Sequence, residues 1–219
     1  MPVTSRWVQS VTVTASCPTR GNVSRVNEPG TRAPAPGELA LVEHFVNTLD
    51  VETGRDDLAA PDGLAAFFRE HGPDTPAPDD CDPAELRVLR EALRAVCHAH
   101  AGADLPAAAA GALERLFAAA PLVLGLDSAG RAVLRPAPGL AGTAAFTARI
   151  AAAVAAAEAD GSWPRLKACE AEDCRWAYYD RSPAGRSRWC SMRVCGSRAK
   201  MRAYRRRGSR EKPSGRGGS

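Results

Sequence analysis

Near its C-terminus the chain reads Cys169-Glu-Ala-Glu-Asp-Cys174 and, after fifteen intervening residues, Cys190-Ser-Met-Arg-Val-Cys195. Two close cysteine pairs joined by a short loop are typical of a chain that presents four thiolates to one tetrahedral zinc ion. A segment of about forty residues buries too little apolar surface to fold alone, and a metal would stabilise it. The spacing therefore predicts one structural zinc ion, bound by Cys169, Cys174, Cys190 and Cys195.

Two other interpretations of these cysteines stay open. A plant-type iron–sulfur cluster uses a C-x4-C-x2-C run, and the x2 pair is absent here. Two disulfides would suit a secreted protein, but the chain has seven cysteines, an odd number, and its N-terminus has no apolar signal-peptide core. No apolar run is long enough to span a bilayer. We therefore expect reduced thiols in a cytoplasmic protein.

The segment around the cysteines predicts a zinc-ribbon-like module. Residues 176–180 alternate as in a strand, 182–185 form a turn, and 186–190 return toward the second cysteine pair. The pattern predicts a β-hairpin with a cysteine pair at each foot. Gly196 follows the last cysteine, where a turn often needs a positive φ angle. Ser197 is then expected to cap a basic helix that ends near Arg207.

Charge is divided unevenly along the chain. Residues 165–219 contain 16 Lys+Arg and 5 Asp+Glu, a net charge of +11, whereas residues 1–164 have a net charge of −7. Guanidinium groups match phosphate geometry, and aromatic rings can stack on unpaired bases. The competing interpretations are a solvated basic tail and, for the rings, a small core beneath the zinc. The predicted nucleic-acid contacts are Arg186, Arg188, Arg198, Lys200, Arg202, Arg205, Arg206 and Tyr179.

Residues 37–160 predict a mainly α-helical domain with one β-hairpin, an α+β arrangement. Apolar residues recur at helical spacing from Leu39 onward, and Asp82-Pro83 is a typical helix start. Residues 122–126 and 132–135 flank the Asp-Ser-Ala-Gly turn of a predicted hairpin. Residues 1–36 and the basic tail 208–219 are predicted to be disordered. The finger itself is assigned to residues 165–207.

No combination of residues predicts catalysis. The histidines lack metal-ligand spacing, and there is no glycine-rich phosphate loop or nucleophile elbow. Four cysteines would also close the zinc shell and leave no position for a reacting water. We therefore expect a protein that is not an enzyme.

The residues quoted above resemble two known families. The segment from Cys169 to Lys200 is similar to the CGNR zinc finger in its two x4 pairs, its Tyr-Asp-x-Ser run, its Arg-x-Arg-Trp-Cys-Ser-Met run and its Cys-Gly-x-Arg-x-Lys run. Residues 41–50, through the run Phe-Val-Asn-Thr, resemble the start of the ABATE domain. Ser197 stands where the CGNR signature has Asn. Zinc ligation should survive this change, but a base contact assigned to that Asn does not carry over.

The resemblance implies a bacterial two-domain regulator of transcription, linked to stress, whose finger binds nucleic acid. It favours DNA over RNA, whereas the residues themselves do not separate the two. The helical domain would then sense a small molecule or form a homodimer, and no membrane partner is expected. The alternative is a protein-interaction module, in which the zinc ribbon docks on an acidic partner rather than on nucleic acid.

Overall fold

The structure, a computed structural model, describes residues 32–60, 62–71 and 80–210, without the side chains of 207–210. About half of the described residues are helical, and the strands pair as small antiparallel sheets. No helix in these ranges is long and apolar enough to cross a membrane. The helices are α1 (Leu39–Val46), α2 (Gly63–Glu70), α3 (Pro83–Ala99), α4 (Ala107–Ala118), α5 (Gly142–Ala159) and α6 (Ser197–Arg210). The strands are β1 (Leu49–Asp50), β2 (Arg55–Asp56), β3 (Leu122–Leu126), β4 (Ala132–Pro136), β5 (Leu166–Ala168) and β6 (Ala177–Tyr179).

Helix α3 is at the centre of the fold and begins as its sequence predicts. The Asp82 carboxylate accepts a hydrogen bond from the backbone N–H of Ala84 at 2.8 Å, and Pro83 occupies the first helical position. Leu86, Leu89 and Leu93, spaced at three and four residues, are fully buried. This apolar face packs against α1, α4, α5 and strand β5.

Aromatic side chains fill the space between α1, α2 and α5. The Phe45 and Phe146 rings meet edge to face with centroids 4.9 Å apart, and Phe67 and Phe68 pack against the same ring of Phe146. Edge-to-face packing is favourable for aromatic pairs beyond their burial alone. These contacts explain why the first helices predicted from apolar spacing come together.

Two hairpins lie in the helical domain. Strands β3 and β4 pair in the predicted hairpin, with Leu124 opposite Leu134. The short β1–β2 hairpin was not predicted, because two residues per strand leave no alternating pattern to detect. It is held by tertiary contact: the Arg90 guanidinium donates to both carboxylate oxygens of Asp56, at 2.7 and 2.9 Å.

The hairpin of the finger forms from β5 and β6, and not from the predicted pair of strands at residues 176–180 and 186–190. Strand β6 pairs with β5, with Leu166 opposite Tyr179, and residues 186–190 form no strand. The loop joining β5 to β6 therefore carries the first cysteine pair. Apolar burial is the physical reason, because Leu166, Ala168, Ala177 and Tyr179 all enter the main core.

The finger and the helical domain share that core without a free linker. Trp163, inside the predicted boundary region, is buried, and its 3₁₀ turn (Trp163–Arg165) leads directly into β5. The Asn47 side chain, just after α1, forms a pair of hydrogen bonds with the backbone of Ala177 at 2.8 and 2.9 Å. Arg94 of α3 donates to the carbonyls of Val46 and Arg175.

The predicted disordered extension, residues 1–36, lies outside the described residues except for its last five. Within those five, Arg32 contacts the finger and Ala35 contacts α1. Arg32 donates to the carbonyls of Trp189 and Cys190, and Ala35 is buried with its N–H donating to Glu43 at 2.6 Å. Sequence periodicity could not detect this segment, because single contacts with distant residues hold it. At the other end, residues 211–219 of the predicted tail lie outside the described residues.

Candidate metal centre and basic helix

The four cysteines of the two pairs converge. All four sulfurs lie within 4.8 Å of one another, with Cys174 Sγ 3.6 Å from Cys190 Sγ and Cys190 Sγ 3.7 Å from Cys195 Sγ. A tetrahedral zinc ion with Zn–S bonds of about 2.3 Å places its sulfur ligands about 3.8 Å apart. Disulfide sulfurs would be about 2.05 Å apart, so the thiols are free. The cluster fits one structural zinc ion.

Burial and hydrogen bonding make a cation necessary for four thiolates here. All four cysteines are buried. Hydrogen bonds from Cys174 and Cys190 lower the pKa of Cys169, whereas contacts with Cys169 and Cys174, together with burial, raise the pKa of Cys190. Four buried thiolates at these distances would repel one another without a cation between them. A bound zinc ion would stabilise all four as thiolates and release protons as it binds.

The first cysteine pair is positioned by the β5–β6 loop. The N–H of Cys169 donates to the Trp176 carbonyl at 2.9 Å, and the N–H of Cys174 donates to Ala171 at 3.0 Å. Arg175 then turns the chain into β6 with a φ angle of 52°, a left-handed value uncommon outside glycine. This turn directs both sulfurs to one side of the sheet.

The second pair is positioned by a π-helical turn, Met192–Gly196, that runs directly into α6. Ser191 caps this turn, its hydroxyl accepting from the Val194 N–H at 3.3 Å, so the predicted capping role of Ser197 is wrong. Gly196 does not adopt the predicted positive φ. Space around it is tight instead, because a Cβ there would lie 3.0 Å from Met192 Sδ and 3.3 Å from Trp189 Cδ1, and these side chains would have to shift slightly.

Asp180 organises the loop between the cysteine pairs, a role the sequence reasoning missed. Its fully buried carboxylate accepts hydrogen bonds from the N–H groups of Ser182 and Ser187 at 3.0 and 2.8 Å, and from the Ser187 hydroxyl at 2.8 Å. The buried ammonium of Lys167 donates to the same carboxylate at 3.2 Å. Burial raises the pKa of Asp180, but these hydrogen bonds outweigh it and hold the pKa low.

A signal for Asp180 was present in the Tyr-Asp-x-Ser run. An aspartate followed two residues later by serine often forms a side-chain turn with the backbone. The bonds from Ser182 and Ser187 fold residues 181–187 back as a loop. This explains why the segment does not continue as the second strand of the predicted hairpin.

The aromatic rings of the finger lie mostly inside it. Tyr178 and Tyr179 are buried, and Trp176 and Trp189 are half-buried against the cysteine cluster. The Tyr178 hydroxyl donates to the Ser187 carbonyl at 2.7 Å. Tyr179, predicted to contact nucleic acid, packs in the main core and has no ring face free for a base. Trp176, Tyr178 and Trp189 match the competing interpretation, a core beneath the metal site, whereas Tyr179 belongs to the main core.

The seven predicted basic contacts are all exposed, and six of them, all but Arg206, fall into two groups. Three form ion pairs with this chain's own carboxylates: Arg188 with Glu170, Arg198 with Glu52 at 2.8 Å, and Arg202 with Asp173 at 3.7 Å. Among the described residues, no carboxylate pairs with Arg186, Lys200 or Arg205. The structure thus brings the seven residues to one basic module without making them equivalent.

Helix α6 has little apolar support. Ala199 and Ala203 are half-buried on the side facing the finger, whereas Met201 and Tyr204 are 54% and 76% exposed. These exposures place Met201 and Tyr204 on the solvent side of α6. A large aromatic and a methionine are thus left in water among basic residues.

Two family models match the chain in succession. The model of the ABATE family, described as "Putative stress-induced transcription regulator", matches residues 39–161, and the model of the CGNR zinc finger matches residues 165–208. No curated protein gives a significant match. The ABATE match covers more than half of the chain and follows the predicted order of the two resemblances. The protein therefore belongs to the ABATE family and carries a CGNR zinc finger at its C-terminal side.

Proposed function

We propose that this protein is a cytoplasmic, zinc-dependent transcription regulator that binds nucleic acid through the finger and α6 and is not an enzyme. One observation carries the proposal. Seven basic side chains lie exposed on the module that the four cysteines shape, while residues 1–164 are acidic overall. Such a division steers a polyanion to one end of the molecule and away from the other.

The family description supports the regulatory part of this proposal, and the closed cysteine shell supports a structural rather than catalytic metal. Zinc would act indirectly. It would hold the π-helical turn, and with it the direction of α6 and of its basic side chains. Loss of zinc would leave the arginines in the sequence, but α6 would no longer hold their side chains in a fixed arrangement.

The test is fluorescence anisotropy of the zinc-loaded protein with random pools of duplex DNA, single-stranded DNA and RNA across a salt series. We expect the logarithm of the binding constant to fall linearly with the logarithm of the salt concentration, with a slope near −0.9 per phosphate contact on duplex DNA. Cys174→Ser should abolish binding at physiological salt. The matched control is Cys81→Ser, a change to a cysteine outside the cluster. Binding by Cys174→Ser as tight as that of the parent would contradict the proposal.

A second candidate function is docking on an acidic protein. It is favoured by the pairs Arg198–Glu52 and Arg202–Asp173, in which α6 already meets carboxylates. A pull-down after nuclease treatment separates the two candidates, because partners that persist without nucleic acid favour docking.

For the helical domain we propose a sensing or dimerising role, and two surface features support it. A cleft of about 430 Å³ between α1 and α2 is lined by residues including His44, His71 and Arg149. The β3–β4 hairpin exposes Leu124, Leu126 and Leu134 on one face. Sedimentation at several concentrations tests the dimer, and a thermal-shift screen of small molecules tests the cleft.

A further inference from the structure

Helix α6 has a solvent face whose residues can be read from helical spacing and exposure. Ser197, Met201 and Tyr204 follow one another at four and three residues, so they lie along one line of the helix. Half-buried Ala199 and Ala203 lie on the opposite side. Lys200 and Arg205 flank the line, each four residues from one of its large side chains: Lys200 from Tyr204 and Arg205 from Met201.

The ion pairs separate this face from the rest of α6. Arg198 and Arg202, spaced four apart, turn toward Glu52 and Asp173 of the protein body. Lys200 and Arg205 have no carboxylate partner among the described residues. The outward strip is therefore two apolar side chains, Met201 and Tyr204, with an unpaired cation on each side. We call these four residues the outer face of α6.

This pattern matches a helix lying in the major groove of duplex DNA. That groove is about 12 Å wide and admits an α-helix, whose central side chains then meet base edges while those on either side reach the two phosphate backbones. Apolar side chains can contact the thymine methyl group there.

Single-stranded or duplex RNA fits the structure less well. Binding of unpaired bases commonly stacks them on two or three exposed aromatic rings. Among the described rings of the finger only Tyr204 is exposed, whereas Trp176, Tyr178, Tyr179 and Trp189 are buried or half-buried. The major groove of A-form RNA is too deep and narrow for side chains to read. The preference for DNA thus rests on a single exposed ring and on the wider major groove of B-DNA.

We propose that the outer face of α6 reads duplex DNA in the major groove, with Met201 and Tyr204 as specificity-determining residues and Lys200 and Arg205 as phosphate contacts. This inference rests on the proposed function and names its partner. It also assigns a role to Met201 and Tyr204, which are not among the nucleic-acid contacts predicted from the sequence.

The test begins with selection of a preferred sequence by the full-length, zinc-loaded protein from a random duplex library. Affinities for the selected duplex and for a random duplex are then measured for Tyr204→Ala and for Met201→Ala. We expect each change to weaken binding to the selected duplex about tenfold and to leave random-duplex binding within about twofold. Val88→Ala, at a residue 47% exposed on α3, is the matched control and should change neither affinity.

The double variant Lys200→Ala/Arg205→Ala should behave differently. Both affinities should fall by the same factor, and the slope of log affinity against log salt should become shallower by about two. Arg131→Ala, an exposed arginine in the β3–β4 turn, is the control for a lost charge. These variants alter exposed side chains, and circular dichroism with a zinc content of one per chain would confirm that each is folded.

Several outcomes would overturn the inference. A library that does not converge, or a Tyr204→Ala variant that loses affinity equally for both duplexes, would show that the outer face reads no bases. Preference for RNA over duplex DNA would reject the DNA assignment while the proposed nucleic-acid function stands. Absence of binding to every nucleic-acid pool would reject the proposed function itself.

Discussion

A buried carboxylate, Asp180, shows how one residue sets the shape of the finger. It joins the end of β6 to the loop that leads to the second cysteine pair, and it neutralises the buried ammonium of Lys167. Lys167 also donates to the Gly185 carbonyl at 2.5 Å. Burying an ammonium is tolerable only when it is paired and hydrogen-bonded. The Asp180–Lys167 pair therefore holds the loop that brings Cys190 to Cys169.

Asp180→Asn should destabilise the protein by about 3 kcal/mol, because Lys167 would remain buried without its counter-charge. The free energy of unfolding from urea titration of the zinc-loaded protein measures this. Asp104→Asn, at an exposed site, is the control and should change stability by less than about 0.5 kcal/mol. Equal stability of the two variants would show that the buried pair contributes nothing net.

The Asp56–Arg90 pair predicts a specific pH dependence. Side-chain hydrogen bonds from Arg90 lower the pKa of Asp56 below its usual value. A lowered carboxylate pKa contributes stability that is present above the unfolded-state pKa of about 3.9 and is lost as pH falls through the folded-state pKa. We expect Asp56→Asn to be less stable than the parent by about 2 kcal/mol at pH 7, and this difference to shrink below about pH 3.9. Urea titrations across pH 3 to 7 test this, and a difference that grows on acidification would contradict it.

Among the elements, α1 and β6 show how the two family domains are joined. The amide of Asn47 acts as one more strand partner for β6, donating to the Ala177 carbonyl and accepting from its N–H. Asn47 belongs to the Phe-Val-Asn-Thr run that carried the ABATE resemblance. The Asn47 side chain therefore links the helical domain to the finger.

Asn47→Ala should weaken this junction by about 2 kcal/mol, since two hydrogen bonds are lost in a partly buried contact. Asn47→Asp keeps an acceptor for the Ala177 N–H but sets a charged oxygen against the Ala177 carbonyl, so it should be no more stable than the alanine variant. Thermal unfolding of zinc-loaded samples provides the ranking. An alanine variant as stable as the parent would mean that water replaces both bonds without loss.

At the scale of the whole molecule, the metal site and the helical core belong to one structure. Strands β5 and β6 bury four apolar residues in the core that α1 and α3 also line, and the loop between the strands holds Cys169 and Cys174. Stabilising the loop with zinc thus stabilises the strands, and through them the helices. Binding of a metal only to the folded state raises the stability of every element that unfolds with it.

Zinc removal should consequently lower the unfolding temperature of the entire protein and not only of its last 55 residues. Calorimetry of the zinc-loaded chain should give one cooperative transition, which moves to lower temperature on adding a chelator. Cys174→Ser should shift the transition in the same direction without chelator. Two separate transitions, of which only one responds to the chelator, would show that the finger unfolds by itself.

The sequence by itself determined the zinc ligands, the helices of the ABATE domain, the β3–β4 hairpin and the start of α3, because these depend on local spacing, capping and turn residues. Only the tertiary structure decided which strand pairs with β6, that Tyr179 is buried, and that Met201 and Tyr204 face water. Those outcomes depend on which apolar surfaces find a partner, and Leu166 finds one in the core whereas Tyr204 does not. The spacing of residues within one segment cannot predict which apolar surfaces meet, because the contacts join residues more than a hundred positions apart in the chain.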